Sequence, residues 1–182
     1  MSRKYKFRDQ DKLYFVSFAT VHWIDLFVRP AYFDVLVTSL KYCQIEKGLE
    51  VYAWCIMPSH VHLIIGTSIR PMQDILRALK SYTSRKLKEE ILSHPSESRK
   101  EWITWMMERA GRKNGNNNSW QLWQQHNQPI ELSNNRMLDQ RLEYVHMNPV
   151  VSGFVSEPEY WRCSSAIDYA GGKGLLDVCT IE

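Results

Sequence analysis

Met57-Pro58-Ser59-His60-Val61-His62-Leu63-Ile64-Ile65 is the stretch of this sequence on which the predicted fold and site depend. Its valine, leucine and isoleucine residues favour an extended strand. Successive side chains of a strand point to opposite faces, so His60 and His62 share one face while Val61 points to the other. Two imidazoles side by side on a rigid strand offer half of the ligand set of one divalent metal ion. His-x-His pairs also occur in half-buried strands, where the two imidazoles are only hydrogen-bonded. Whether this pair binds a metal therefore has to be decided from the rest of the sequence.

The segments around this strand predict a β-α-β-β-α unit. Aromatic and β-branched residues over 13–20 predict a first strand, and apolar residues at helical spacing predict a helix over 31–46. A second strand over 49–57 leads through a tight Pro-Ser connection into the histidine strand, predicted over 61–66. Pro71 suits the first turn of a second helix.

A second group of candidate residues lies near residue 144. Apolar spacing predicts a helix with Ser133 as its N-cap, ending at Asn148 because a residue that precedes proline is disfavoured in the α region. Tyr144 and Asn148 are four residues apart and therefore share one helix face. A phenol could supply a nucleophile, and a carboxamide could supply an oxygen ligand. Taken singly, such a tyrosine is more often a packed residue, and Asn-Pro is more often a helix end.

Composition bounds the class of protein. The chain has 182 residues, 44% of them hydrophobic, which suits one folded domain. A net charge of +3 permits a nucleic-acid partner without requiring one. The four cysteines are scattered, which favours reduced thiols in a cytoplasm over disulfides or a zinc knuckle. No apolar run is long enough to span a bilayer, so we expect no membrane association.

The two motifs together resemble the single-tyrosine HUH transposases. The stretch from Met57 to Ile64 is similar to the metal motif of that family, histidine-hydrophobic-histidine on a strand. Tyr144-Val145-His146-Met147-Asn148-Pro149-Val150, followed by Gly153 and Val155, resembles the tyrosine-helix motif of the REP-associated branch. The resemblance covers about residues 12–155, and the occurrence of both motifs in this order is specific.

The resemblance implies an α+β fold, with a ferredoxin-like (RRM-like) antiparallel sheet, flanking helices and the tyrosine-bearing helix over the sheet. It implies cleavage and rejoining of hairpin-flanked single-stranded DNA, in DNA transposition. Tyr144 would attack a backbone phosphate, forming a 5′-phosphotyrosine link and freeing a 3′-hydroxyl. His60 and His62 would hold a divalent metal, and Asn148 would match the third ligand. Insertion-sequence members generally carry glutamine at that position, and asparagine fits the REP-associated branch.

The implied chemistry is physically reasonable. A free tyrosine has a pKa of about 10 and is a poor nucleophile near pH 7 without help. A covalent intermediate conserves bond energy, which agrees with the absence of any Gly-x-Gly-x-x-Gly or Walker-type nucleotide motif from the sequence. Imidazole and carboxamide ligands next to phosphate oxygens lead us to expect Mg2+ or Mn2+ as the cofactor.

Basic and aromatic side chains are candidates for DNA contacts. Cations could track the backbone and tryptophans could stack on unpaired bases. For any single charge, a solvated helix face is the commoner explanation. We expect Trp23, Trp54 and Trp161 to fill the core. The DNA-binding candidates are Arg77, Lys80, Arg85, Lys86, Arg112, Lys113, Trp120 and Trp123.

We expect a single domain over 1–182, with a core at about 12–155, a C-terminal tail over 156–182, and a role as monomer or homodimer. The order of elements is interrupted over 93–119. There we expect a mobile insertion that carries one short amphipathic helix with Trp102 and Trp105.

Two other classes of function remain open. The first is a domesticated or non-catalytic protein that binds single-stranded DNA or RNA hairpins. The second is a metal-dependent hydrolase that uses His60 and His62, although such a site would want a carboxylate ligand and the histidine strand has none. A relaxase or replication initiator often carries its histidines after the tyrosine, the reverse of the order here.

Overall fold

An antiparallel sheet organises the computed structural model, which describes residues 7, 9–115, 119–125 and 129–181. Within these ranges the sheet has four strands in the order β2-β3-β1-β4. The strands are β1 (Tyr14–Ala19), β2 (Leu49–Ile56), β3 (His60–Thr67) and β4 (Ile130–Glu131). Strand β3 lies inside the sheet, between β2 and β1.

Helices cover both faces of this sheet. They are α1 (Pro30–Lys47), α2 (Met72–Ser93), α3 (Lys100–Arg112), α4 (Asn135–Val151) and the short α5 (Ala166–Tyr169). Helix α1 ends at Gly48, whose φ of 68° lies in the left-handed region that glycine adopts without a Cβ clash. None of the helices in the described ranges is long and apolar enough to cross a membrane.

Alternation along β3 assigns each face of the sheet to a different partner. Val61, Leu63 and Ile65 are fully buried in the larger core cluster, which includes residues of α1 and α2. Ile64 lies on the opposite face, in a smaller cluster that contains Val145 of α4. His60 and His62 share the face of Ile64 because side chains two residues apart point the same way.

The C-terminal segment ties α4 to the edge of the sheet. Ser164 forms a β-bridge with Cys55, and the backbone N–H of Ser165 donates to Trp54 O at 2.9 Å. The Ser165 hydroxyl also lies 2.8 Å from Nε2 of His146, which is buried on α4. This segment therefore fixes the position of the helix that carries Tyr144.

The expected α+β sheet with flanking helices is confirmed, including the β-α-β-β-α order of the first half. The short helix expected within 93–119 is α3, while residues 116–118 of the predicted loop lie outside the described residues. The predicted ends of α4 are wrong. Its N-cap is Asn134, whose side chain accepts a hydrogen bond from the Met137 N–H, and Pro149 lies inside the helix. The helix continues through Val151 because the burial of Pro149 offsets the lost hydrogen bond and the crowding that a proline ring brings to a helix.

Candidate metal and tyrosine site

His60 and His62 lie side by side on β3. Their Cα partners on β1 are Ala19 and Ser17, and on β2 Cys55 lies opposite His62. The two ring centroids are 4.7 Å apart, with the rings at 72° to each other. The strand is paired on both sides, so both imidazoles project from a rigid backbone.

Helix α4 brings the second motif to the same place. The ring centroid of Tyr144 lies 5.1 Å from that of His62, at 71°. One turn further along the helix, the Asn148 carboxamide Nδ2 lies 3.3 Å from Nε2 of His62. Tyr144 is 45% exposed while His62 is 4% exposed. The phenol therefore lies at the surface of the site, and the imidazole forms its floor.

Burial keeps the two histidines neutral. Desolvation is the largest cause that lowers the pKa of His62, to about 3, with smaller contributions from His60 and the cationic Arg141. Burial also lowers the pKa of His60, and interaction with the Asn148 side chain partly offsets that effect. At pH 7 each imidazole therefore keeps one unprotonated ring nitrogen, which is the form that binds metal.

Several polar atoms of the site are incompletely paired. Within the described residues, His62 Nδ1 and Asn148 Oδ1 are buried without a hydrogen-bond partner. Nδ1 of His60 lies 3.2 Å from the Ser59 hydroxyl, so Nε2 is the ring nitrogen that remains for a ligand. Buried polar atoms without partners are uncommon and call for an explanation such as a missing ligand. Two imidazoles and a carboxamide oxygen form a donor set that fits a divalent cation.

Among the described residues, no His, Cys, Asp or Glu side chain joins His60 and His62 as a third ligand. In the described part of the chain, no cluster of three such residues could hold a metal ion. Of the described side chains, the amide of Asn148 is the further oxygen donor at the site, and an ion that also contacts phosphate takes oxygens from outside the protein.

Sequence reasoning missed two neighbours of the site. The guanidinium of Arg141 lies 5.0 Å from the ring centroid of Phe15 and 6.0 Å from that of Tyr144. Its position three residues before Tyr144 on the same helix face was the signal that could have revealed it. The second is Trp23, expected in the core but 58% exposed, whose ring centroid lies 5.5 Å from that of His60.

Comparison with known proteins bears on this arrangement. A family model described as "Transposase IS200 like" matches residues 29–109, a little under half of the chain. That match includes both histidines of β3 and ends before α4. Residues 29–109 are therefore similar to the IS200-like transposases.

Two solved structures align with this chain. A REP-associated tyrosine transposase bound to a REP hairpin aligns over 98% of this chain and 92% of its own, with a TM-score of 0.63 and 14% identity. This likeness shows that the two share a fold. A candidate transposase from Deinococcus radiodurans R1 aligns over 80% of this chain and 94% of its own, with a TM-score of 0.46 and 21% identity. A search of curated proteins finds no match.

Among the candidate DNA contacts, the prediction that Trp123 stacks on bases is wrong. It is 6% exposed, its ring stacks on Phe27 at 5.8 Å, and its Nε1–H donates to the Thr83 hydroxyl at 3.0 Å. The segment that carries Trp123 folds back over the core beside β1, as its bridge with Thr20 shows. Trp120 is only half-buried, with the Lys88 ammonium 4.7 Å from its ring centroid.

The basic candidates are spread over the molecule. Arg77, Arg85 and Lys86 are exposed on α2, which packs on the face of the sheet opposite the histidines. Lys80 is instead half-buried, and burial lowers its pKa to about 8. Arg112 is exposed at the end of α3, and Lys113, also exposed, follows it directly. The predicted set therefore does not converge on the site.

Proposed function

We propose that this protein is a metal-dependent single-stranded DNA transesterase that cleaves and rejoins DNA through Tyr144. The observation that carries the proposal is the meeting of the two motifs within one chain. The Tyr144 ring packs on His62, and the Asn148 carboxamide reaches the same imidazole. These residues are far apart in sequence, so a shared site is not a consequence of local structure.

The nucleophile in this proposal is the Tyr144 hydroxyl. Its oxygen forms a bond to phosphorus while the bond from phosphorus to the 3′-oxygen breaks, which leaves a 5′-phosphotyrosine and a 3′-hydroxyl. The phenol proton passes to water, because the Tyr144 side chain is about half exposed and the buried His62 is a weak base. The departing 3′-oxygen takes up a proton from water in turn. Reversal of the same steps rejoins the strand and needs no nucleotide cofactor.

His60, His62 and Asn148 would hold the divalent ion, which we propose to be Mg2+ or Mn2+. When bound, the ion supplies Lewis-acid chemistry by neutralising charge on the scissile phosphate. The neutral imidazoles and the unpaired Asn148 Oδ1 support this assignment. Ser59 orients His60 through Nδ1, as residues behind a metal ligand commonly do.

Arg141 is a further candidate for the phosphate. Its guanidinium lies beside Tyr144 on the surface of α4, where it could pair with a phosphate oxygen while the phenol attacks. Because Arg141, Tyr144 and Asn148 share one helix face, α4 would align cation, nucleophile and carboxamide as a rigid unit.

The partner we propose is single-stranded DNA that forms a hairpin. The similar fold of a REP-associated transposase bound to a REP hairpin supports this choice. All four proposed side chains come from one chain, so a monomer could perform the reaction. We also propose that the protein acts in the cytoplasm, where its DNA substrate would be found.

The test uses a pool of DNA hairpins with randomised single-stranded flanks, labelled at the 3′ end because that fragment stays on the tyrosine, incubated with the protein and Mn2+. The wild-type protein should retain label through a bond that survives denaturation, and chelation should prevent this. Tyr144→Phe should form no adduct yet still bind the pool, because only the hydroxyl is removed. Tyr160→Phe is the matched control, since Tyr160 is 66% exposed and lies outside the site.

Three results would decide between the candidate functions. Adduct in Tyr144→Phe would refute the nucleophile. Binding of the pool without any adduct in the wild-type protein would favour the non-catalytic hairpin-binding function instead. Cleavage without adduct would favour a hydrolase.

A further inference from the structure

A turn after β1 presents an exposed tryptophan at the edge of the site. The short 3-10 turn Val21–Trp23 carries Trp23, which is 58% exposed. Its ring centroid lies 5.5 Å from that of His60, at 70°. Ring contacts thus run from Trp23 through His60 and His62 to Tyr144, with Trp23 at the end away from the phenol.

The backbone of this turn is unusual for the residues it holds. His22 and Trp23 have φ values of 57° and 54°, in the left-handed region that residues with a Cβ rarely adopt. Such conformations persist only where the surroundings impose them, and they cluster at functional sites.

Hydrogen bonds and burial impose the conformation here. The Val21 N–H donates to Leu122 O at 2.7 Å, and the hydroxyl of Thr20 donates to Ile24 O at 2.8 Å. Val21 and Ile24 are each 4% exposed and belong to the core. The turn is therefore anchored by the residues around Trp23, and the indole itself is directed outward.

Exposure of the Trp23 indole to water is energetically unfavourable when no ligand is bound. Indole is among the side chains that gain most from burial, and the larger core takes in Trp54 completely. A tryptophan held at the surface by an anchored turn and touching a ring of the site suits a role in ligand contact. Aromatic rings bind single strands by stacking on bases, whatever the sequence.

We propose that Trp23 is a base-stacking residue that holds an unpaired base of the DNA strand next to the scissile phosphate. This inference rests on the proposed function, because it assumes that a single strand crosses the site. Stacking at the His60 end would fix the strand while the phosphate reaches Tyr144 at the other end. Trp23 would then set the register of the strand without reading its sequence.

The experiment measures binding by fluorescence anisotropy with Mn2+, in a Tyr144→Phe background that cannot form the adduct. One probe is a labelled oligo(dT) strand of about 12 nucleotides, and the other is a backbone of the same length without bases. Trp23→Ala should weaken oligo(dT) binding by about 5- to 100-fold and leave binding of the abasic strand nearly unchanged. Trp23→Phe should keep most of the affinity because it keeps a ring.

The matched control is Tyr42→Ala. Tyr42 is 57% exposed and lies on α1, on the opposite side of the sheet from His60. The Tyr42→Ala variant should bind both probes with the same affinity as the parent protein. Irradiation of a strand that carries 5-iododeoxyuridine should also cross-link to Trp23, which peptide mass spectrometry can identify.

Each alternative gives a distinct result. Unchanged oligo(dT) binding in Trp23→Ala would overturn the inference. An equal loss on both probes would also overturn it, because the ring would then act by orienting His60. If the parent protein bound neither probe, the inference would also be overturned, because Trp23 would then hold no unpaired base, whereas the proposed function would fail only if the hairpin pool gave no adduct.

Discussion

On strand β3 the side chains of Val61, Leu63 and Ile65 face one side of the sheet, whereas His60 and His62 face the other. The first side is closed by two long helices, and its residues are completely buried and apolar. The second side has a smaller apolar cluster, two buried polar atoms without partners in the described residues, and a half-exposed phenol. A buried polar atom without a partner lowers the free energy of unfolding by about 1–3 kcal/mol. The second face therefore destabilises the fold, and the apolar first face compensates for it. One backbone therefore separates the stabilising residues from the proposed chemistry.

The largest expected effect is on the chemistry of the second face. Replacement His62→Ala should reduce metal-dependent DNA cleavage by more than about 100-fold, because it removes a proposed ligand from the centre of the site. The same replacement should weaken metal binding, measured by calorimetry. Unchanged metal affinity would show that the imidazole pair is not the metal site.

The adjacent residue provides the opposite test. Leu63→Ala should lower the free energy of unfolding by about 2–5 kcal/mol, because it opens a cavity in the larger core. Its metal affinity should stay near that of the wild-type protein, measured where the variant is still folded. If Leu63→Ala and His62→Ala changed the free energy of unfolding and the metal affinity by the same amounts, the two faces of the sheet would not have the separate roles described above.

Stability should also depend on pH through buried histidines. Burial lowers the pKa of His62 to about 3 and that of His146 to about 4, both below the usual 6.5. Between these values and pH 6.5 the unfolded chain binds protons that the folded chain does not. The stabilisation is therefore complete above pH 6.5 and is lost as the pH falls toward 4.

Urea unfolding with a chelator present should thus show a loss of roughly 2–4 kcal/mol between pH 7 and about pH 5. His146→Gln keeps a donor for Ser165 and should show about half of that loss. If His146→Gln lost as much unfolding free energy between pH 7 and about pH 5 as the wild-type protein, His146 would not contribute to the pH dependence.

The smallest effect expected concerns charge. Arg141→Gln should weaken binding of single-stranded DNA by several-fold, in keeping with one lost phosphate contact. Arg77→Gln should change it little, because Arg77 lies on α2, on the other face, and already pairs with Asp74. Equal losses in the two variants, measured at matched salt, would argue against a binding surface confined to the face of α4.

The sequence predicted those features that depend on local pattern. The alternation of β3 gave the shared face of His60 and His62, and apolar spacing gave α1 and α2. The four-residue separation of Tyr144 and Asn148 gave their common helix face. The roles of these four residues in catalysis and metal binding stay predictions.

Features that depend on tertiary packing were missed or wrong. Trp23 and Trp123 were assigned to the wrong environments, because composition does not reveal which loop folds over the core. The helix end at Asn148 was wrong because burial of Pro149 outweighs the local preference of a residue before proline. Arg141 gains its importance only when α4 lies against Phe15, a contact between distant parts of the chain.

The most direct measurement is the identification of the amino acid that becomes attached to DNA. Wild-type protein treated with the hairpin pool and Mn2+ would be digested with protease and nuclease, and the nucleotide-bearing peptide sequenced by mass spectrometry. Our account predicts a nucleotide on Tyr144, absent when His60 and His62 are both replaced by alanine. A nucleotide on any other residue, or cut strands with no modified peptide, would contradict it.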